Sequence, residues 1–370
     1  MKIGILTYHR AHNYGALLQA YALQTYLRGL GHNTEMIDYW PDYHAKTYDL
    51  LPDFMNSPFK SKIKILILFL LGFNRIISRE KSYKQFMSTY LGLETTAKYK
   101  TPEELSDVEY DIVVYGSDQI WWKSSLPTFK GYDLVYWGNQ PSKAKRKITY
   151  APSMGVMNYD KEDLKLLERM MGNFDSISVR ENTLKELLET KMGCNSTLVL
   201  DPTFLLDKLQ WEKLCDSRPA PINFKEKYVF FYQLMRNDDA SRLVDKVAKH
   251  YNCRVIEIRG RVDSLKFGKR YQQTIDPIGF VQLIRNAHFV ISTSFHGTAF
   301  SIIFEKQFFA TGMGKNSERA KSLLKSIYLE KRYIEDGCFP SMNEAINYAQ
   351  INPAIELLKC KSRNFLNNNI

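Results

Sequence analysis

Residues 289–298 read Phe-Val-Ile-Ser-Thr-Ser-Phe-His-Gly-Thr. Phe289 to Ile291 have the character of the end of a buried strand. Ser292, Thr293 and Ser294 then supply hydroxyls, and His296-Gly297-Thr298 opens an apolar helix running from Ala299 to Phe304. A strand that enters a helix through small polar residues gathers unpaired backbone N–H groups at one point, and the helix dipole adds positive potential there. Phosphates and carboxylates bind readily at such points. Gly297 admits close approach to the backbone, and His296 is the side chain there able to move protons near neutral pH. The alternative is a histidine that caps the helix or bonds a neighbouring carbonyl.

The same strand-to-helix rhythm extends outward from this stretch. Ile3 to Tyr8 reads as a strand, followed by a helix Tyr14 to Leu30 with Asn13 as cap and Gly31 as stop. Thr34 to Tyr39, Ile112 to Tyr115, Ile148 to Ala151, Ser176 to Val179 and Thr197 to Leu200 follow as strands, with helices near Leu164 to Met171 and Thr183 to Glu189. A polar, Pro-containing stretch, Asp216 to Lys227, reads as a linker. The rhythm then restarts with strands Tyr228 to Leu234, Arg254 to Ile258 and Gln307 to Ala310. Helices are expected at Asp239 to His250, Pro277 to Asn286 and Ser317 to Tyr328. Apolar strands joined by helices signal parallel, doubly wound sheets. The expected fold class is α/β, two Rossmann-like domains facing a cleft. The domains are residues 1–215, with a helical insertion at about 55–95, and residues 226–345, followed by a helical tail, 346–370.

A chain of 370 residues, 44% hydrophobic and 25% charged, is ordinary for a globular protein with two cores. The net charge of +11 favours an anionic partner. The basic residues are scattered in short clusters and no nucleic-acid motif is present, so no nucleic-acid partner is expected. Five cysteines without C-x-x-C spacing argue against a disulfide framework and a zinc site, and no metal is expected. Free thiols, together with an N-terminus that enters a strand at once, point to the cytoplasm. The longest apolar run, Ile65 to Phe73, is too short to span a membrane. Its basic flanks within 60–81 resemble an interfacial helix, with a core or dimer-contact helix as the alternative.

Other strand ends carry candidate chemistry. The loop Thr7 to Ala16 closes the first strand, where ligands bind in open α/β sheets, and Asn13 and Gly15 at the helix start suit an anion or a sugar hydroxyl. Capping by Asn13 is the plainer alternative. Gly116-Ser117-Asp118-Gln119-Ile120-Trp121-Trp122 joins an acid, an amide and aromatics, a set suited to a sugar ring and its hydroxyl rim. Arg180, in Ser178-Val179-Arg180-Glu181, suits bidentate grip on phosphate or carboxylate unless it pairs with Glu181. Arg319 is a second anion-binding candidate. Asp201-Pro202-Thr203 reads as a turn.

These pieces, in this order, resemble the polysaccharide pyruvyl transferase family. The resemblance rests on Asn13 to Leu23, Gly116 to Trp121, Ala151-Pro152-Ser153-Met154-Gly155, Ser178 to Glu181, Leu200 to Thr203, Asp276-Pro277, Asn286-Ala287-His288 and Ser294 to Thr298. It implies a fold similar to the two-Rossmann glycosyltransferases (GT-B). It also implies transfer of pyruvyl from phosphoenolpyruvate to a hexose of a capsule, exopolysaccharide or cell-wall polymer, forming a cyclic ketal and releasing phosphate. Phosphoenolpyruvate would be the co-substrate, with no cofactor. By that resemblance His296 is the acid/base. Arg180, with Ser294, Gly297, Thr298 and Arg319 near it, would hold the donor. Asn13, Gly15, Ser117, Asp118, Gln119 and Trp121 would shape the acceptor side. Some branches carry an arginine where Ser294 stands, so a second donor arginine must come from elsewhere, with Arg319, Arg259 and Arg261 as candidates. A saccharide acceptor, lipid-linked or free, would place the protein in the cytoplasm or at the inner membrane face. The competing expectations are a nucleotide-sugar-dependent glycosyltransferase on the same fold and a non-catalytic polysaccharide-assembly protein.

Overall fold

A computed structural model describes residues 1–48, 58–139, 143–335 and 337–370. Apolar segments form parallel strands buried on both faces, as such segments must when helices cover each side of a sheet. In the first half, β1 (Lys2–Leu6), β2 (Asn33–Met36), β3 (Glu109–Tyr115) and β4 (Lys143–Thr149) lie in the order β2-β1-β3-β4, all parallel. A bridge between Ile148 and Ser176 continues the sheet toward a parallel pair, β5 (Ser178–Val179) and β6 (Thr197–Leu198). The longer helices of this half are α1 (Tyr14–Gly29), α2 (Phe59–Phe86), α3 (Lys161–Met171), α4 (Asn182–Lys191) and α5 (Lys208–Asp216), with a short helical turn at Asp42–Thr47.

The second half contains β7 (Tyr228–Gln233), α6 (Asp238–His250), β8 (Arg254–Arg259), α7 (Pro277–Asn286), β9 (Phe289–Ser292), α8 (Phe295–Ile303), β10 (Gln307–Thr311), α9 (Glu318–Ser326) and β11 (Tyr333–Ile334). Its sheet, β8-β7-β9-β10-β11, is parallel throughout. Both sheets reverse their winding next to their first strand, between β1 and β3 and between β7 and β9. The crevice outside those strand ends is where ligands bind in such folds. The fold class is therefore α/β with two Rossmann-like domains facing a cleft, the GT-B-like arrangement.

The elements differ from expectation mainly at their ends. β4 begins at Lys143 and ends at Thr149, because the chain turns at Ala151, whose φ is +54°. The alternating lysines of 143–147 thus lie on a half-exposed strand. The end of the expected first domain, residues 208–215, reaches the second half. α5 packs on α7, with Gln282 donating to the Cys215 carbonyl (2.7 Å) and Arg285 paired to Asp216 (2.7 Å). One apolar core runs through both domains. Tyr14 on α1 stacks on Phe280 on α7 at 4.7 Å and donates its hydroxyl to the Ile275 carbonyl (2.8 Å).

The tail is not a free appendage. It forms α10 (Tyr348–Asn369), which starts on the second domain, where the Tyr348 hydroxyl donates to the Lys306 carbonyl (2.6 Å). It ends on the first, where the Leu200 N–H donates to Ser362 Oγ (2.8 Å) and Arg363 pairs with Asp207 (2.7 Å). The helical insertion is α2, continued by a π turn, Met87–Leu91; positions 55–57 of the expected span lie outside the described residues. The far half of α2 buries Arg79, Tyr83 and Phe86. Its near half leaves Phe59, Ile67, Leu70 and Leu71 exposed at 77, 52, 64 and 55%, so the apolar run is not part of this chain's core. No helix among the described residues is long and apolar enough to cross a membrane.

Candidate active site

The two switch points face each other across a cavity of about 350 Å³. The first domain lines it with Tyr8, Asn13, Asp118 and Gln119, and the second with Ser294, His296, Asn316 and Arg319. Gln119 Nε2 donates to Asn316 Oδ1 at 3.3 Å, a polar contact that spans the domains.

His296 occupies the first turn of α8, which starts where β9 runs out into the extended Ser294. The imidazole is 5% exposed, and its Nε2 lies 3.5 Å from Asp201 Oδ2. That distance is long for a formed hydrogen bond and short enough for one to tighten when substrate closes the site. The opposite edge of the ring rests on the start of α1. A Cβ built on Gly15 would lie 2.0 Å from His296 Nδ1, so the glycine makes room for the ring. Asp201 divides its oxygens. Oδ1 accepts from the Thr203 N–H (3.0 Å) and hydroxyl (2.9 Å), and Oδ2 meets both His296 and Arg180 Nη1 (2.5 Å). Burial pushes this carboxyl up, but the neighbouring His296 and Arg180 hold it below the usual carboxylate range. It is a fixed negative charge behind the histidine.

Arg180 is surrounded by carboxylates. Besides Asp201 it meets Asp118 Oδ1 (3.4 Å) and Glu181 Oε1 (3.5 Å), and it donates to Ser117 Oγ (3.2 Å). Burial opposes its charge and these acids more than restore it. Phe295 lies between this guanidinium, 5.2 Å from the ring centre, and that of Arg319, at 5.8 Å. Arg319 is far less compensated. Its nearest carboxylate, Asp118, is 4.0 Å away and its Nε has no hydrogen-bond partner. Burial, then the charge of Arg180, lowers its pKa to about 10. A guanidinium in that position stabilises an incoming anion.

Of the residues expected at the site, His296, Arg319, Ser294, Asn13, Asp118 and Gln119 meet at the cavity. Asn13 also caps α1, accepting from the Gly15 N–H at 2.9 Å. Five others, Trp121, Ser117, Gly297, Thr298 and Arg180, lie off the cavity wall. Trp121 is fully buried, stacked on Trp137 at 4.4 Å and donating to the Tyr136 carbonyl (2.9 Å); the next residue, Trp122, faces the cavity. Ser117 is fully buried, its hydroxyl donating to the Ala151 carbonyl (2.7 Å). Gly297 packs the helix against its own sheet, since a Cβ there would lie 2.1 Å from Ser292 Oγ. Thr298 is fully buried and donates to the Ser294 carbonyl (3.1 Å). Arg180 lies behind Phe295, off the wall of this cavity, and its charge meets this chain's acids. Arg259, one alternative donor arginine, pairs with Glu257 (2.7 Å) and Asp263 (2.6 Å) away from this cavity.

No signal in the sequence marked His44 and Asn316, which also line the cavity, and Asp201 showed there only as a turn, not as the partner of His296. A signal for Asp201 existed: an aspartate that caps a Pro-opened turn uses one oxygen and leaves the other free. His9 and Arg10, which crowd the N-terminal loop, both turn to Asp38 instead (3.0 and 2.5 Å). Among the described residues no group of three or more His, Cys, Asp or Glu side chains could hold a metal ion.

A family profile described as polysaccharide pyruvyl transferase matches residues 13–313. No curated protein sequence matches the chain. Among solved structures, the chain is similar to UDP-GlcNAc 2-epimerase from Neisseria meningitidis bound to UDP-GlcNAc (11% identity, 98% of this chain and 100% of that one, TM-score 0.43). It is similar also to UDP-N-acetylglucosamine 2-epimerase from Rickettsia bellii (10% identity, 99% and 95%, TM-score 0.47). A third likeness is to the E. coli heptosyltransferase WaaC with ADP (12% identity, 97% and 100%, TM-score 0.40).

Proposed function

The chain belongs to the polysaccharide pyruvyl transferase family, and from that premise we propose a specific reaction. Phosphoenolpyruvate gives its three-carbon skeleton to a hexose of a surface polysaccharide or its precursor, forming a cyclic ketal and releasing phosphate. The observation that carries the reading is His296, backed by the ionised Asp201, on one cavity wall with the under-compensated Arg319.

The chemistry requires one proton delivered to the donor's methylene carbon, which becomes a methyl group. A sugar hydroxyl adds to the adjacent carbon and loses its proton. The C–O bond to phosphorus-bearing oxygen then breaks, the electron pair leaving with phosphate, and a second hydroxyl closes the ring. Two protons leave the hydroxyls; one replaces that given to carbon and one goes to phosphate. His296 is the proton carrier in this scheme, and Asp201 stabilises it when charged. Arg319 and the N-terminus of α8 at Ser294 hold the donor's anionic groups. Arg319 thereby supplies the cation that Ser294 does not. Arg180 acts through Asp201 and Asp118, fixing both carboxylates. On the acceptor side, Tyr8 and Trp122 offer ring faces, and Asn13, Asp118 and Gln119 offer hydroxyl partners. The exposed apolar half of α2, with Lys60 and Lys64 beside it, rests on the inner membrane face, where a lipid-linked acceptor would be presented.

The test is calorimetric titration of the full chain with phosphoenolpyruvate and, separately, with nucleotide sugars, alongside Arg319→Gln and His296→Ala. Saturable phosphoenolpyruvate binding, weakened by Arg319→Gln, with turnover abolished by His296→Ala, is the expected result. Binding of a nucleotide sugar with none of phosphoenolpyruvate would replace this reading with glycosyl transfer. Unaltered function in His296→Ala would point to a non-catalytic assembly protein.

A further inference from the structure

We propose that the chain holds a second anion subsite, centred on Arg79, that binds the phosphate or diphosphate of the acceptor. The existence of the subsite stands on its own geometry; that its ligand is the acceptor rests on the reaction proposed above.

A further cavity of about 350 Å³ adjoins the first, sharing Asn13, Thr47, Tyr48 and Leu234 as common wall. Its charged lining is Arg79 and Glu80 from α2 and Arg261 from the second domain, with His12 stacked on Tyr83 at 5.4 Å. Arg79 is 5% exposed. Its Nη2 donates to the Tyr83 hydroxyl (3.0 Å) and the Gly260 carbonyl (3.0 Å), while its Nη1 has no hydrogen-bond partner. Among the described residues no carboxylate lies within ion-pair distance of it, and its charge faces the rings of Tyr14 and Tyr83 (5.3 and 5.5 Å). Arg180 and Arg10, the comparable arginines nearby, each meet at least one carboxylate at 2.5 Å. A buried cation with no counter-ion is costly to keep, and an arriving anion offsets that cost. Arg261, exposed at the rim, adds a second cation with no ion pair among the described residues. The one acid on this wall, Glu80, pairs with Lys84 at 2.6 Å.

A buried guanidinium with a second at the rim suits phosphate, which a planar fork grips in bidentate fashion. The cavity adjoins, and is separate from, the wall that carries His296 and Arg319, so an anion here belongs to the other substrate. Position along α2 agrees. Arg79 follows Leu71 by two helical turns, about 12 Å along the axis, so a diphosphate borne by a lipid at the apolar half of α2 reaches it. A free sugar phosphate carries the same chemistry, and the experiment separates the two sources.

The full chain is titrated with inorganic pyrophosphate in the presence and absence of saturating phosphoenolpyruvate, then with a short isoprenyl diphosphate and a nucleoside diphosphate sugar. Pyrophosphate is expected to bind alongside phosphoenolpyruvate. Arg79→Gln and Arg261→Gln should each weaken it at least about tenfold while phosphoenolpyruvate affinity stays within about twofold. Tighter binding of the isoprenyl diphosphate than of pyrophosphate identifies a lipid-borne acceptor, and tighter binding of the nucleotide sugar a soluble one. Absence of pyrophosphate binding at millimolar concentration overturns the subsite, as does binding that phosphoenolpyruvate displaces and Arg79 variants leave unchanged. Should Arg79→Gln fail to fold, Arg79→Lys and the surface variant Arg261→Gln carry the same comparison. Loss of phosphoenolpyruvate binding by the wild-type chain would instead refute the proposed reaction, leaving the pyrophosphate result to be judged separately.

Discussion

Substituting Gly15 by alanine tests whether α1 of one domain sets the histidine of the other. The added Cβ would lie 2.0 Å from His296 Nδ1, 2.3 Å from Cγ and 2.7 Å from Cε1. Carbon and nitrogen atoms in contact sit roughly 3.5 Å apart, so the ring must retreat by more than about 1 Å. A retreat of that size shifts Nε2 out of its place beside Asp201 Oδ2, 3.5 Å distant, and turns it from the cavity geometry it now holds. Misplacement of a reacting group by about 1 Å costs on the order of a hundredfold in rate. The overpacking itself should cost about 1–3 kcal/mol of stability. The assay is phosphate release from phosphoenolpyruvate with a saccharide acceptor, paired with denaturant unfolding and phosphoenolpyruvate titration. Turnover should fall about hundredfold or more while donor affinity changes little, because Arg319 does not touch Gly15. Gly29→Ala, at the end of the same helix with no atom within 4 Å, is the control. It should leave turnover intact and add up to about 1 kcal/mol of stability. Full turnover in Gly15→Ala would refute the positioning of His296 by α1, and with it the role given to that ring.

Asp201→Asn should lower turnover at least about hundredfold by removing the charge behind His296. The folded pKa of Asp201 lies below its unfolded value of about 3.9, so the stability it contributes is complete at neutral pH and lost as pH falls below about 4. Acid unfolding of the variant should therefore be shallower in that range, as circular dichroism against pH would show. Arg319→Gln should weaken phosphoenolpyruvate binding about ten- to a hundredfold, the measure of one or two charge-assisted hydrogen bonds, read by calorimetry. Trp121→Phe should reduce stability and leave acceptor KM unchanged, whereas Trp122→Ala should raise acceptor KM; reversed effects would restore Trp121 to the acceptor side. Leu70→Glu on the exposed face of α2 should abolish sedimentation with anionic vesicles and alter stability by no more than about 0.5 kcal/mol.

The two-domain rhythm was readable because each strand is a short apolar segment punctuated by a capped helix, and such local signals need no partner to be seen. His296 was readable for the same reason, since its strand, turn and helix are contiguous. Asp201 was not. Its turn-shaping oxygen is visible in Asp-Pro-Thr, but the oxygen that faces His296 belongs to a different domain, and only the assembled fold brings them together. Trp121 and Trp122 show a finer limit. Adjacent residues face opposite sides of the chain, and nothing local says which side is core. Arg180 looked free for a ligand because Asp118 and Asp201, which neutralise it, come from other strand ends. The sequence of α2 fitted an interfacial helix or a core or dimer-contact helix, and what packs against it shows only that its near half is not in this chain's core.

Tyr348 and Ser362 anchor α10 to different domains, so this helix works as a strut across the seam. The strut has a notch. Pro353 lies inside it and brings no N–H for the helix ladder, leaving the Ala349 carbonyl without its usual donor. Asn352, immediately before, is tied to Glu305 of the second domain at 3.0 Å. The weak joint therefore sits where the helix leaves that domain, with 16 residues and roughly 24 Å of stiff lever beyond it. Bending a few degrees at this joint would swing the far end by an ångström or two, a movement felt by the 3.3 Å contact of Gln119 with Asn316 that spans the same two domains. The pivot of the enzyme would then lie in a surface proline remote from every residue that touches the chemistry.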